Sequence, residues 1–398
     1  MKHIIIGNGV AGTTAAFEIR KADPSASIQI VTEEPYPFYS RIRLPEFLAG
    51  SLDEQELVIR KPSWYEEHRI SLSLNTRVTA IDPASKKIIT SAGESLPYDR
   101  LLVATGANCF VPPISGAEKQ GVFTLRGLED AQKIREYAIR SEGDVLLIGG
   151  GVLGLEAGYG LMKAGCKITV VEFFPRLLPR QLDEQGAKIL QQKMESMGFT
   201  FHLAAKSKEI SGRDAAEALI LEDGTQIGCD MVIISAGIRY NVKLLENHGA
   251  AIEKGVVVND RMETGIPDIF AAGDLVQHRG ICYGIWPAAE QQGQTAGINM
   301  AGGNVEYGGT VISNTLTVAG IDVFAAGDID ADRNKESITS ADSEKFIYRK
   351  LVFDNNRIVG AILLGDLIDR RRVMKAIENR VDISPIKQKL DEWDLSSL

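Results

Sequence analysis

His3-Ile4-Ile5-Ile6-Gly7-Asn8-Gly9-Val10-Ala11-Gly12 opens the chain, and Val145-Leu146-Leu147-Ile148-Gly149-Gly150-Gly151-Val152-Leu153-Gly154 repeats its pattern further on. Each is a short apolar run, predicted to be a strand, that enters a glycine-rich turn. A helical pattern follows each turn, Thr13 to Lys21 in the first copy and Leu155 to Lys163 in the second. A second strand comes next, Ile28 to Val31 and Ile168 to Val171, with an acid just beyond it, Glu33 and Glu172. The copies also end alike, in LLVATGA at Leu101–Ala107 and MVIISAG at Met231–Gly237. A unit of roughly a hundred residues therefore occurs twice.

A glycine-rich turn alone says little; strand before, helix after and an acid about twenty residues on make it a dinucleotide-binding fingerprint. The first glycine (Gly7, Gly149) permits the tight turn, and the second (Gly9, Gly151) lets the backbone approach a pyrophosphate. The third (Gly12, Gly154) lets helix and strand pack closely. The pyrophosphate then meets the unpaired amides of the helix start. Glu33 and Glu172 are expected to accept hydrogen bonds from an adenosine ribose. A carboxylate there repels a 2′-phosphate, so Glu172 favours NADH over NADPH. The competing reading, two purely structural turns, does not explain why the whole context recurs.

The chain has 398 residues, which suggests two or three domains. Its formal charge of −9 and pI near 5.3 make it a poor general nucleic-acid binder, since that affinity rests on neutralising phosphates. Four cysteines, Cys109, Cys166, Cys229 and Cys282, form no CxxC pair, which excludes a disulfide scaffold or a cysteine-rich metal site and fits a reducing cytoplasm. The five histidines have no metal-ligand spacing, and no metal is expected. No apolar run is long enough to span a membrane, and MKHIIIGNG enters a strand at once, so neither a membrane helix nor a signal peptide is expected.

Alternating segments between Ser71 and Pro97 read as an antiparallel meander, and Thr200 to Gly228 as a similar insertion. From about Val311 strand-like runs dominate: Leu316–Val323, Phe346–Phe353 and Ile358–Leu364, with a turn at Asp354-Asn355-Asn356. Gly365 to Lys375 reads as helical, and Pro112-Pro113 as a hinge. The expected fold class is α/β, with two Rossmann-like dinucleotide-binding domains and a C-terminal α+β domain. The boundaries are 1–110 with 239–312, 111–238, and 313–398.

IIIGNGVAG, LLVATGA, LLIGGGVLGLE and PDIFAAGDL together resemble the two-dinucleotide flavoprotein family that includes glutathione reductase, NADH oxidase and ferredoxin reductases. YSRIRLPEFLAG, PRQLDEQGA, VVVNDRMETGIPDIFAAGD and EQQGQTAGINMAGG resemble its rubredoxin-reductase and assimilatory nitrite-reductase branch. The resemblance implies FAD on the first unit, NADH on the second (NADPH less so), and hydride transfer between them. The implied FAD contacts are Gly7, Gly9, Ala11, Gly12, Glu33, Glu34, Val78, Ala104, Thr105 and Gly106, with Arg41 near the pyrophosphate. Gly273 and Asp274 would meet the ribityl chain, and the helix start at Trp286 would point its positive end at the flavin pyrimidine, with ordinary packing the competing reading for Trp286 itself. For the nicotinamide nucleotide they are Gly149, Gly151, Leu153, Gly154, Glu172 and Gly237. A second AAGD, at Ala325–Asp328, lacks the preceding pattern and reads as coincidence. Two acids would lie near the chemistry: Glu46, where ferredoxin reductases carry a lysine, and Glu156, for which a helix-dipole cap is the competing reading.

Disulfide-type relatives carry a redox cysteine soon after the first acid, whereas no cysteine lies between Met1 and Asn108. Electrons are therefore expected to leave the flavin directly. The acceptor reads as a small carrier, rubredoxin or ferredoxin. The alternatives are oxygen, as in an NADH oxidase, and a flavin/NAD module of a nitrite-reductase-type complex. A homodimer is compatible with the resemblance. Arg370-Arg371-Arg372 with Lys375 is the densest basic cluster, read either as a carrier-docking patch or as a solvated helix face.

Overall fold

The computed structural model describes residues 1–141, 143–318 and 320–398. They form two compact units, one of residues 1–40, 54–108 and 238–310, the other of residues 41–53, 109–237 and 311–398.

The first unit is built on a parallel sheet in the order Ile269–Ala271, Arg100–Val103, Lys2–Ile6, Ser27–Val31, Ile70–Ser73. A parallel strand covered on both faces needs an apolar residue at nearly every position, which is why Ile4, Ile5 and Ile6 run consecutively and are all buried. Successive strands add to one side of Lys2–Ile6 and then to the other. The order reverses at that strand's carboxyl end, where ligands bind in open α/β sheets. The helix Val10–Ala22 crosses a second helix, Trp286–Met300, at very short range. A Cβ on Gly293 would stand 2.4 Å from the Ala11 carbonyl oxygen, and one on Gly297 2.6 Å from that of Ala15. Only glycine permits this approach. Val78–Asp82, Lys87–Thr90 and Ser95–Pro97 form a separate antiparallel meander.

The second unit repeats the plan, with a parallel sheet in the order Thr200–His202, Lys167–Val171, Asp144–Ile148, Met231–Ile234, Val122–Thr124. Its order reverses at Asp144–Ile148. Its meander is Ser207–Ser211, Ala218–Leu221 and Gln226–Gly228. The short helix Leu44–Leu48 packs on the helix Val152–Lys163, where a Cβ on Gly160 would lie 2.4 Å from the Pro45 carbonyl oxygen. An antiparallel sheet completes the unit, in the order Ser313–Val318, Ile321–Gly327, Arg357–Leu364, Ile347–Asp354, Glu336–Asp342. The helix Arg370–Glu378 buries Val373, Ala376 and Ile377. The fold is thus two Rossmann-like α/β folds plus a C-terminal antiparallel sheet with helices.

Several elements differ from the reading of the sequence. The fingerprint helices begin at Val10 and Val152, because Thr13 and Leu155 already donate to the carbonyls of Gly9 and Gly151, each at 3.0 Å. The fingerprint glycines are themselves the first turn. The run 316–323 divides between two antiparallel strands; its Ala319 lies outside the described residues. Gly365, with φ +81°, ends a strand rather than starting a helix, which begins only at Arg370. The strand Glu336–Asp342 was not anticipated: it is a mostly exposed edge without apolar alternation. The AAGD at Ala325–Asp328 ends a strand paired with Arg357–Leu364. No helix among the described residues is long and apolar enough to cross a membrane.

Candidate functional site

The first cradle lies at the carboxyl end of Lys2–Ile6. Gly7 has φ +112°, and a Cβ there would sit 2.2 Å from the Ala104 carbonyl oxygen. A Cβ on Gly12 would sit 2.0 Å from the Gly7 carbonyl oxygen, whereas one on Gly9 meets nothing within 4 Å. Two glycines thus close the turn, and the middle one faces open space. No side chain caps the helix that starts after Gly9, and the first amides of a helix have no intrahelical partner. The Asn8 amide nitrogen is buried without a hydrogen-bond partner among the described residues, while its oxygen accepts from the Tyr65 hydroxyl at 3.0 Å. An unpaired buried donor beside open space and bare helix amides fits an anionic nucleotide.

Ala104, Thr105 and Gly106 line the next turn. Asn241 fixes it by donating to the Thr105 carbonyl at 2.9 Å, with its backbone N–H on the Gly106 carbonyl at 3.0 Å. Glu33 is 60% exposed at the end of its strand, with Arg77 at 3.6 Å. Glu34 accepts from the Tyr39 hydroxyl at 3.0 Å. Ala11 is buried in the helix crossing. Val78 is buried too, paired with Thr90, so only its backbone could face a ligand. Gly273 (φ +93°) donates to the Gln292 side chain at 2.9 Å, and Asp274 follows it half-buried. Trp286 opens its helix, with its ring 5.8 Å from that of Phe38.

In the second cradle a Cβ on Gly149 (φ +117°) would lie 2.3 Å from the Ser235 carbonyl oxygen, and one on Gly154 2.7 Å from that of Gly149. Gly151 again faces open space, and so does the exposed Gly237. Leu153, Phe173 and Phe174 are exposed apolar residues of this cradle and its flanking loop. Glu172 differs from Glu33. It is only 6% exposed, and its carboxylate accepts from the backbone N–H groups of Gly150 and Phe174.

Glu156 is the fifth residue of its helix, past the first turn. The dipole-cap reading therefore fails: the field of the helix end fades within one turn. Burial pushes its carboxyl up from 4.5 to about 7. Arg41 and Glu46 belong to the second compact unit. Arg41 donates to the Arg126 carbonyl at 3.1 Å, and Glu46 forms a two-point pair with Arg43 at 3.0 and 2.9 Å.

A family model described as pyridine nucleotide-disulphide oxidoreductase matches residues 1–293. The chain belongs to this family. A second model, the rubredoxin NAD+ reductase C-terminal domain, matches residues 313–381. Nitrite reductase [NAD(P)H] of Bacillus subtilis is 39% identical over 383 residues, 96% of this chain and 48% of the relative. NADH-rubredoxin oxidoreductase of Clostridium acetobutylicum is 30% identical over 379 residues, 95% of this chain and 94% of the relative. The crystal structure of NADH:rubredoxin oxidoreductase from that organism matches with a TM-score of 0.81 and 28% identity, covering 98% of this chain and 99% of that one. The chain spans about half the length of the nitrite reductase it matches.

Membership of the pyridine nucleotide-disulphide oxidoreductases implies a flavin and a nicotinamide nucleotide as cofactors. This member keeps all four cysteines as free thiols. Burial pushes every one of them up, Cys229 to about 11. Such thiols stay protonated and weakly nucleophilic. The sequence reading missed Asn8, Tyr65, Asn241 and Gln292. Asn8 was legible as the one polar side chain inside a fingerprint; the others act across long stretches of chain.

Proposed function

We propose that this chain is an NADH:acceptor oxidoreductase that uses FAD and reduces a small electron-carrier protein of the rubredoxin or ferredoxin type. Residues 1–110 and 239–312 form the FAD domain, 111–238 the NADH domain, and 313–398 the C-terminal domain. The observation that carries this reading is the paired construction of the cradles: in each, two glycines are shut against a carbonyl and the one between them is open. Bound flavin supplies acceptance of a hydride and release of electrons to the acceptor. The chain supplies binding and orientation. The amides after Gly9 and the free Asn8 donor hold the FAD pyrophosphate, Glu33 accepts from its ribose, and Asp274 from the ribityl chain. The amides after Gly151 hold the nicotinamide nucleotide, and the buried Glu172 carboxylate disfavours a 2′-phosphate. Without a cysteine in residues 1–108, no thiol from that stretch intervenes between flavin and acceptor. The four free thiols support a reducing cytoplasm as its setting.

Anaerobic titration tests this. NADH should bleach the flavin absorbance, NADPH should do so far less efficiently, and Glu172→Ala should narrow that difference. Rubredoxin should then reoxidise the protein faster than air-saturated buffer does. No bleaching by NADH removes the activity, and faster reoxidation by oxygen replaces the carrier with oxygen.

A further inference from the structure

We propose that Asp183, Tyr348 and Lys350 form a buried strut through which the C-terminal sheet sets the position of loop 173–182 beside the second cradle. They are positioning residues for the nicotinamide nucleotide, an inference that rests on the assignment of that cradle. The loop starts at Glu172, whose carboxylate ties the Gly150 and Phe174 amides together. The Leu178 N–H returns to the Gly150 carbonyl at 3.0 Å, and Leu177 and Leu178 are fully buried. Arg176 clasps the far half, donating to the carbonyls of Pro179 and Leu182, each at 3.2 Å. One end of the loop is therefore fastened to the glycine turn.

The other end is Asp183. One carboxylate oxygen caps the helix Glu184–Ser196 by accepting from the Gly186 N–H at 3.0 Å. The other accepts from the Tyr348 hydroxyl at 2.7 Å and lies 3.3 Å from the Lys350 ammonium. Both partners stand on the strand Ile347–Asp354. Lys350 is only 2% exposed; its ammonium also donates to the Asp330 carbonyl at 3.0 Å, with the Asp330 carboxylate at 3.9 Å. The same helix seats on this sheet elsewhere. A Cβ on Gly186 would lie 2.9 Å from the Tyr348 ring, Glu184 pairs with Arg333 at 2.9 Å, and Lys193 covers the Phe346 ring at 4.9 Å.

A buried ion pair is a poor source of stability, because desolvation offsets most of the attraction. Its best-attested use is to select one arrangement over others. Here the arrangement selected is the entry of loop 173–182 into its helix. The PRQLDEQGA stretch, Pro179–Ala187, thereby acquires a role that direct cofactor contact does not give it.

The test uses the full-length flavin-loaded enzyme and Tyr348→Phe, which removes one hydroxyl and leaves the Lys350–Asp183 pair. With ferricyanide as acceptor, the KM for NADH should rise about tenfold while kcat changes less than about twofold, as expected for a lost ground-state binding geometry. In nucleotide-free protein, tryptic cleavage after the exposed Arg180 should quicken about tenfold, because cleavage follows the population of the opened loop. A folded Tyr348→Phe with wild-type KM and cleavage rate overturns the strut. Should that variant not fold, hydrogen exchange on the wild type decides. The Leu178 and Gly186 amides should lose protection together, and a Leu178 amide that exchanges far faster than Gly186 overturns the proposal. If wild-type protein does not bind NADH, the functional reading fails, while cleavage and exchange still report on the strut.

Discussion

Glu156→Gln should stabilise the protein at alkaline pH and leave it unchanged in acid. The side chain lies half-buried within the helix Val152–Lys163, and burial alone moves its carboxyl from 4.5 to about 7. Between those values the folded protein holds a proton that the unfolded chain has released. Unfolding free energy therefore falls as pH rises through this window. The loss is absent below the unfolded value and complete above the folded one. At 1.36 kcal/mol per pH unit the interval amounts to about 3 kcal/mol. The carboxyl keeps some contact with water, so about 1–3 kcal/mol is the working range. Glutamine has the same shape and no proton to lose, so it removes the slope. Paired thermal melts of wild type and variant from about pH 4 to 8.5 should show nearly matching midpoints at about pH 4, an advantage for the variant that grows between about pH 4.5 and 7, and a level difference above that. A difference independent of pH, or a variant less stable than wild type at pH 8, refutes the argument.

Gly9→Ala should fold normally yet lose FAD if the first cradle holds it as proposed, because the added methyl meets no protein atom and fills the open side of the turn. Gly7→Ala should fail to fold, with its methyl 2.2 Å from a carbonyl at φ +112°; a yellow, fully loaded Gly9→Ala protein contradicts the first-cradle assignment. Gly293→Ala must push a pair of crossing helices apart and should cost about 1–3 kcal/mol by overpacking, read as a lower melting temperature with reduced flavin content; an unchanged melt refutes the close crossing. Converting Arg370, Arg371 and Arg372 to glutamine should slow reduction of an acidic carrier at low salt and match wild type at high salt. Identical salt profiles show that this helix face is merely solvated.

Both cradles were legible because their determinants are local. Strand, glycine turn, helix and acid fall within about thirty residues, and each glycine answers to a steric demand of its own. What was missed lies across the chain or against type. Glu33 and Glu172 read alike, yet one is exposed and the other is tied to backbone amides, a contrast created by the loop folded back over Gly150. A lysine is almost never fully buried unless paired, yet Lys350 is buried, because Asp183, more than a hundred and sixty positions earlier, supplies its counter-charge. The segment Arg41–Asp53 interrupts the first unit in sequence yet packs within the second, where Gly160 receives Pro45, a placement that only long-range packing decides. The strand Glu336–Asp342 has almost no apolar rhythm because an edge strand that sends only Ile338 toward the core needs little.

The first sheet draws its outermost strand, Ile269–Ala271, from far along the polypeptide. On the ribosome, Arg100–Val103 must therefore wait with a bare hydrogen-bonding edge until some hundred and seventy more residues have been made. The parallel sheet centred on Asp144–Ile148 is by then complete, since all its strands lie between Val122 and Ile234. Later-born material finishes the older half of the duplication, so the younger half matures first. A chain truncated near residue 260 carries one closed nucleotide fold and one unguarded strand, the kind of edge that recruits neighbours into aggregates.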